Sequence, residues 1–293
     1  MKNKKSSGKE SVGRYIQNKK LVITVYVILR ILVIATMVLQ ILKGDYEGAL
    51  ICVLTLVLFM LPSIIERRLH LDLPDVLEIV ILFFIFAAEI LGEIREFYVL
   101  VPHWDTVLHT INGFLFAAIG YCIVNLLNDD KRVSMSLSPF YMAVAAFCFS
   151  MTIGVLWEFF EWGMDCIFNL DMQKDTVVNV INSVNLHPDG KNDVISLQGI
   201  QNTIVVLSDG TQATLNQGGY LDIGIIDTMK DLIVNFIGAA AFSAIGFFYA
   251  SSKGRKQKAA ESFVPSKKEA ARDYLKQARE EHSLMEAVSS RGE

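Results

Sequence analysis

The sequence predicts an all-α polytopic membrane protein of about six transmembrane helices, with a small extracytoplasmic β-rich loop between the last two. Three observations predict it. Six apolar runs punctuate the chain, each long enough at about 1.5 Å per residue to cross roughly 30 Å of hydrocarbon. Of the 293 residues 52% are apolar and the mean hydropathy is +0.39, high for a chain with polar ends. Connections richer in Lys and Arg alternate along the chain with poorer ones.

Residues 1–20 form a lysine-rich arm, read as cytoplasmic. The first run, about Leu21 to Leu42, is too long for a signal-peptide core and lacks a small-residue cleavage site, so a retained helix is expected. Arg30 inside it needs a partner or must reach the headgroups; Glu78 and Glu89 are candidate partners. The second run spans about Gly48 to Ile65 and ends at Glu66-Arg67-Arg68. The third spans about Leu73 to Gly92. A linker with Phe97 and Tyr98 leads to the fourth, about Trp104 to Leu127, which stops at Asn128-Asp129-Asp130-Lys131-Arg132. The fifth spans about Pro139 to Trp162 and the sixth about Ile223 to Ala250. Together they make a membrane domain over 21–250, followed by a charged tail at 251–293. In the tail, Ser266 and Glu269 form a capping-box pattern before a helical stripe of Ala271, Tyr274, Leu275, Ala278 and Met285.

Six crossings put both ends on one side. The basic arm, the Arg67-Arg68 turn, the Lys131-Arg132 turn and the tail choose the cytoplasm for that side. The expected location is the bacterial cytoplasmic membrane, multi-pass, with both termini cytoplasmic. The segment 167–222 then faces outward. It is rich in Val, Ile, Thr and Asn, and Ile204–Leu207 and Thr211–Leu215 flank Asp209-Gly210 as a hairpin. A hairpin alone is marginal in water, so it is expected to lean on the helices or on a second copy.

Composition excludes several classes. A net charge of −4 without basic–aromatic blocks argues against nucleic acid as a partner. The four cysteines show no CxxC and no His-spaced pairing, against a disulfide framework or a zinc–cysteine site. The lipid bilayer is the expected partner.

Function is concentrated at one end of three helices. Asp105 and His109 are four apart and share a helix face, Glu158, Glu161 and Asp165 end the fifth run, and Asp227, Asp231 and Asn235 descend the sixth at i, i+4, i+8. The alternating topology puts all three groups in one leaflet, where Glu89 and Glu93 could join them. Carboxylates with one imidazole suit Zn, Mn or Fe, and paired carboxylates beside a histidine also suit acid–base work. Asp105, His109, Glu158, Glu161 and Asp231 are therefore candidate catalytic residues. The first four are candidate ligands of a divalent metal, and Asp227, Asn235, Asn112 and Trp104 are candidate binding residues. Gly113 and Gly238 allow close helix approach beside them. Bland readings compete: Asp165 and Glu93 read as solvated helix-end charges, Asp227 as a helix-start acid, and Trp104, Trp157 and Trp162 as interfacial anchors. Depth and number favour a site, because isolated charge inside a membrane is costly.

Trp104-Asp105-x-x-x-His109, Trp157-Glu158-Phe159-Phe160-Glu161 and Asp227-Thr228-x-x-Asp231-x-x-x-Asn235-x-x-Gly238 resemble the YjdF-like family of bacterial integral membrane proteins, over about Trp104 to Asp165 and Ile223 to Gly246. They are more distantly similar to VanZ-like proteins, from which Glu161 and the longer last loop depart. The resemblance implies cell-envelope chemistry. On this reading the site would serve a metal-assisted hydrolase or transferase acting on an envelope or lipid-linked substrate. A proton- or ion-coupled transporter is the alternative, set back by the small helix count, the missing internal repeat and the charge confined to one leaflet. A homo-oligomer would answer the first two objections. A partner-binding membrane factor is the third reading.

Overall fold

The computed structural model describes residues 19–69, 71–129, 136–252 and 266–267. Five helices in it are long and apolar enough to cross a bilayer: Lys20–Lys43, Tyr46–Arg68, Trp104–Asn128, Pro139–Phe168 and Ile225–Ser251. The chain divides into two compact units, one of residues 1–151 and 235–293, the other of residues 152–234.

In the first unit, α1 (Lys20–Lys43) runs without a breaker until Gly44, whose φ of 79° lets its N–H turn back to the carbonyls of Gln40 and Ile41. Asp45 then caps α2 (Tyr46–Leu58) by accepting from Gly48 N at 2.9 Å. The expected second crossing is interrupted: α2 gives way at Phe59 and Met60 to α3 (Leu61–Leu69), whose Pro62 cannot donate to the Leu58 carbonyl. The third expected crossing is also altered. After Pro74 it begins as α4 (Asp75–Phe86) and then widens into a π-helical segment, Ala87–Ile94, which carries Glu89 and Glu93. A short α5 (Phe97–Leu100) leads into α6 (Trp104–Asp129). The core of this unit is built of Leu29, Val33, Cys52, Phe59, Leu77 and Leu82 with Ala117, Ala118, Tyr121, Ala239 and Phe242.

Both ends of the described chain reach one turn of the first unit. The β1 strand (Leu71–Asp72) pairs antiparallel with β8 (Ser266–Lys267), with Leu71 opposite Lys267 and Asp72 opposite Ser266. Beside it Lys19 Nζ lies 2.9 Å from Glu66, 2.7 Å from Glu78 and 3.2 Å from the Leu73 carbonyl. α4 and its π-helical continuation, the third crossing expected from sequence, are not among the five helices long and apolar enough to span. Ser266 opens a strand pair, and the helix expected after it lies outside the described residues. So do the residues of the basic arm before Lys19 and the Lys131-Arg132 turn.

Arg30 takes neither expected partner. Its guanidinium carbon sits 4.7 Å from the centre of the Tyr26 ring, and Nε is buried with no hydrogen-bond acceptor among the described residues. Glu78 is held by Lys19 instead.

Two helices continue from one unit into the other. α7 (Pro139–Phe168) starts with proline in its first turn and runs six residues past the expected end at Trp162. α8 (Ile225–Ser251) follows Gly224, whose φ is 78°, and Asp222 caps it by accepting from Ile226 N at 2.8 Å. In the second unit the chain between them makes three two-stranded antiparallel pairs. β2 (Val177–Val178) pairs with β7 (Tyr220–Leu221), β3 (Val180–Ser183) with β4 (Ile195–Gln198), and β5 (Ile204–Val206) with β6 (Gln212–Thr214). The last is the hairpin expected from Asp209-Gly210, its turn made by Gly210 at φ 83°.

Candidate functional site

Within the first unit, α6 presents Asp105 and His109 one turn apart, as their spacing requires. His109 Nε2 lies 3.5 Å from Asp105 Oδ1; the imidazole is buried while the carboxylate is 35% exposed. A carboxylate beside one ring nitrogen helps to set the orientation of the ring. Trp104, just before them, stands edge-on to Phe97 with centroids 5.0 Å apart. Its indole N–H is buried and finds no acceptor among the described residues. Asn112 is half-buried three residues beyond His109.

One turn further along α6, the backbones of α6 and α8 touch. A methyl group on Gly113 would collide with the Asn235 carbonyl, and one on Gly238 would collide with the Thr110 carbonyl. No larger residue fits either position at this spacing. α7 joins the same place, where Ser150 Oγ donates to the Gly113 carbonyl at 2.7 Å. Asn235, 1% exposed, donates from Nδ2 to the Met151 sulfur at 3.6 Å, and its Oδ1 is buried with no partner among the described residues. Beyond this contact the seam turns apolar. Ala117, Ala118, Tyr121, Ala239 and Phe242 are each no more than 1% exposed, and Phe242 packs edge-on against both Phe114 and Tyr121.

Within the second unit, Glu158, Glu161 and Asp231 are all buried. The Trp157 indole N–H donates to Glu161 Oε1 at 2.7 Å, so this tryptophan, read from sequence as an interfacial anchor, also holds a carboxylate. Asp165 is not a solvated helix-end charge. It accepts from the backbone N–H groups of Met172 at 2.6 Å and Gln173 at 2.9 Å, turning the chain back after α7. Asp227 accepts from Lys174 N at 2.8 Å, and Gln173 Nε2 donates to Thr228 at 2.6 Å, tying the same segment to the start of α8. Asp165 and Asp227 thus spend oxygens on backbone, which suits joints better than ligands. Asp175 lies nearby. Burial, then the charges of Asp171, Asp222 and Asp165, push its carboxyl above the usual range, against a backbone hydrogen bond from Gly224.

The sequence reading missed the Lys19 cluster. Burial alone would lower the Lys19 ammonium, but Glu66 and Glu78 together hold it above its ordinary range. The signal was present: Lys19 ends the arm and Glu66 and Glu78 flank the turn, on what the alternation of charge made one side. The π-helical placement of Glu89 and Glu93 had no such signal, since π windings are rare and occur inside sequence that otherwise reads as α-helix.

Among known proteins, a chain from Thermotoga maritima named "Uncharacterized protein" is 26% identical over 124 residues, covering 41% of this chain. This chain spans 62% of that relative's length. No solved structure matches. A family model described as "Predicted membrane protein (DUF2238)" matches residues 24–183, more than half of the chain, and includes Asp105, His109, Glu158 and Glu161. That family is the YjdF-like one, and the Asp231–Asn235 stripe on α8 lies beyond the matched residues. With the apolar helices and a family match of this extent, the chain belongs to the DUF2238 family of predicted membrane proteins.

Proposed function

We propose that Asp105, His109, Glu158, Glu161 and Asp231 act as one polar site of a metal-assisted hydrolase or transferase working on a cell-envelope or lipid-linked substrate. The observation that carries this reading is the seal at Gly113 and Asn235. On one side of it lies the Asp105–His109 pair, and on the other the seam is alanine and aromatic. A polar site closed at one end suits binding and chemistry, whereas a carrier needs a polar route onward.

The helices support a shared site. α6, α7 and α8 meet at Gly113, Ser150 and Asn235 in the first unit, and α7 and α8 are unbroken beyond it. Counting about 1.5 Å per residue along α6 from Gly113, His109 is one turn away and Asp105 about two. The residues also have the right chemistry, each offering a carboxylate oxygen or imidazole nitrogen as a ligand atom. Zn, Mn or Fe suits such a set, and when bound would polarise a phosphoryl or carbonyl oxygen and acidify water. Asp105 would orient the His109 ring, Trp157 would orient Glu161, and Glu158 would hold or move a proton. Asn235, Asn112 and Trp104 would bind or frame the substrate, and Asp227, the fourth candidate binding residue, would hold the joint at the start of α8. The likeness to VanZ-like proteins, together with an outward-facing orientation, is what suggests envelope substrates.

Metal analysis of purified protein paired with a flux assay in proteoliposomes tests this. Stoichiometric divalent metal without substrate-dependent flux is expected. Flux without metal would replace the reading with a transporter.

A further inference from the structure

We propose that the β5–β6 hairpin is a self-association element, pairing edge to edge with the same hairpin of a second copy of this chain. The hairpin is a ribbon with neither face covered within its own unit. Ile204 and Val206 are 59% and 64% exposed, and Val205 and Leu207, on the opposite face, are 39% and 48% exposed. The register pairs Ile204 with Thr214, Val205 with Ala213 and Val206 with Gln212, and among the described residues no third strand joins either edge. An isolated two-stranded ribbon is marginal in water, and strands exposed in this way need a cover.

The charge pattern selects the cover. Thr203 to Ser208 reads Thr-Ile-Val-Val-Leu-Ser, high in β propensity with no charge and no proline. Edge strands that must stay single carry lysine, proline or inward charges, and this one carries none. Such a segment pairs readily with an identical segment, because two uncharged copies meet without repulsion. The one ionisable residue of the hairpin, Asp209, is turned onto its own turn and accepts from Thr211 N at 2.9 Å and Thr211 Oγ1 at 2.7 Å. A membrane surface is a poorer cover. From Asn192 to Met229 the sequence has no Lys or Arg but includes Asp193, Asp209, Asp222 and Asp227, so an anionic leaflet would repel it. With β5 the more aliphatic strand, two copies would pair antiparallel along β5, with Val205 at the two-fold axis.

The test uses the full chain in nanodiscs, with Cys148 and Cys166 changed to Ala. Val205→Cys should form a covalent dimer under mild oxidation, and Asn192→Cys, on the β3–β4 connection, should not. Light scattering should give a dimer mass for the unlabelled chain and a monomer mass for Val206→Lys at unchanged helical content. A monomeric parent chain would overturn the proposal, as would a dimer that survives Val206→Lys and is not cross-linked at Val205. A fluorophore at position 206 that shifts to the blue in monomers on anionic but not zwitterionic nanodiscs would also overturn it, assigning the hairpin to lipid.

Discussion

Lys19 Nζ lies 2.7 Å from Glu78, a residue 59 positions later, and the same ammonium also meets Glu66 at 2.9 Å. All three side chains are about a tenth exposed or less, at 11%, 11% and 6%. The contact ties the start of α1 to the turn that precedes α4. Removing one partner of a buried pair leaves the other charge without compensation and costs about 3–5 kcal/mol. Lys19→Met should therefore lower the melting temperature strongly. Lys19→Arg should lower it less, because it keeps the charge. Equal melting of Lys19→Met and the parent chain would show that the cluster contributes nothing to stability.

The α6–α8 contact makes a steric prediction with an internal control. Gly238→Ala drives a methyl into the Thr110 carbonyl, an overpacking worth about 1–3 kcal/mol or more where backbone cannot yield. Gly163→Ala on α7 meets nothing within 4 Å, and should be neutral or stabilising by about 0.5–1 kcal/mol as a helix-interior substitution. Thermal unfolding of the two variants should separate in opposite directions.

Asp175 predicts a pH effect. Its carboxyl is raised by burial and by Asp171, Asp222 and Asp165, so the folded state disfavours the ionised form. The resulting destabilisation is absent below the ordinary carboxylate pKa, sets in as pH rises through it and is complete above the raised value. Asp175→Asn should raise the melting temperature near neutrality and leave it unchanged in acid. A gain that is the same at both pH values would assign the effect to packing.

Orientation can be checked by fused reporters. Fusions after Arg68 and Lys256 should report cytoplasm, and one at Asp189 should report the outside. A cytoplasmic Asp189 would remove the envelope substrate from the proposed function.

Much of the fold was legible because the crossings are largely apolar runs bounded by charge, glycine or proline. Gly44, Pro139 and Asp209-Gly210 punctuate the structure where the sequence placed them. The interruption at Phe59 and Met60 did have a signal, Pro62, which cannot donate to the Leu58 carbonyl and went unread, whereas the π winding at Ala87–Ile94 lies inside a run read as one helix. At the candidate site the Asp105–His109 pair followed from i, i+4 spacing alone. The roles of Asp165 and Asp227 did not, since their backbone partners come from Met172 to Lys174, in a loop whose path spacing cannot supply.

The proposed function requires that His109 and Glu158 serve one site. A double-mutant cycle on zinc or manganese affinity, using His109→Gln, Glu158→Gln and the pair, tests it most directly. A shared site predicts that each single change lowers affinity, by about tenfold or more, and that the double variant loses clearly less than the product of the two, a coupling of about 0.5–3 kcal/mol. Losses that simply multiply, or metal binding that neither change affects, would contradict it.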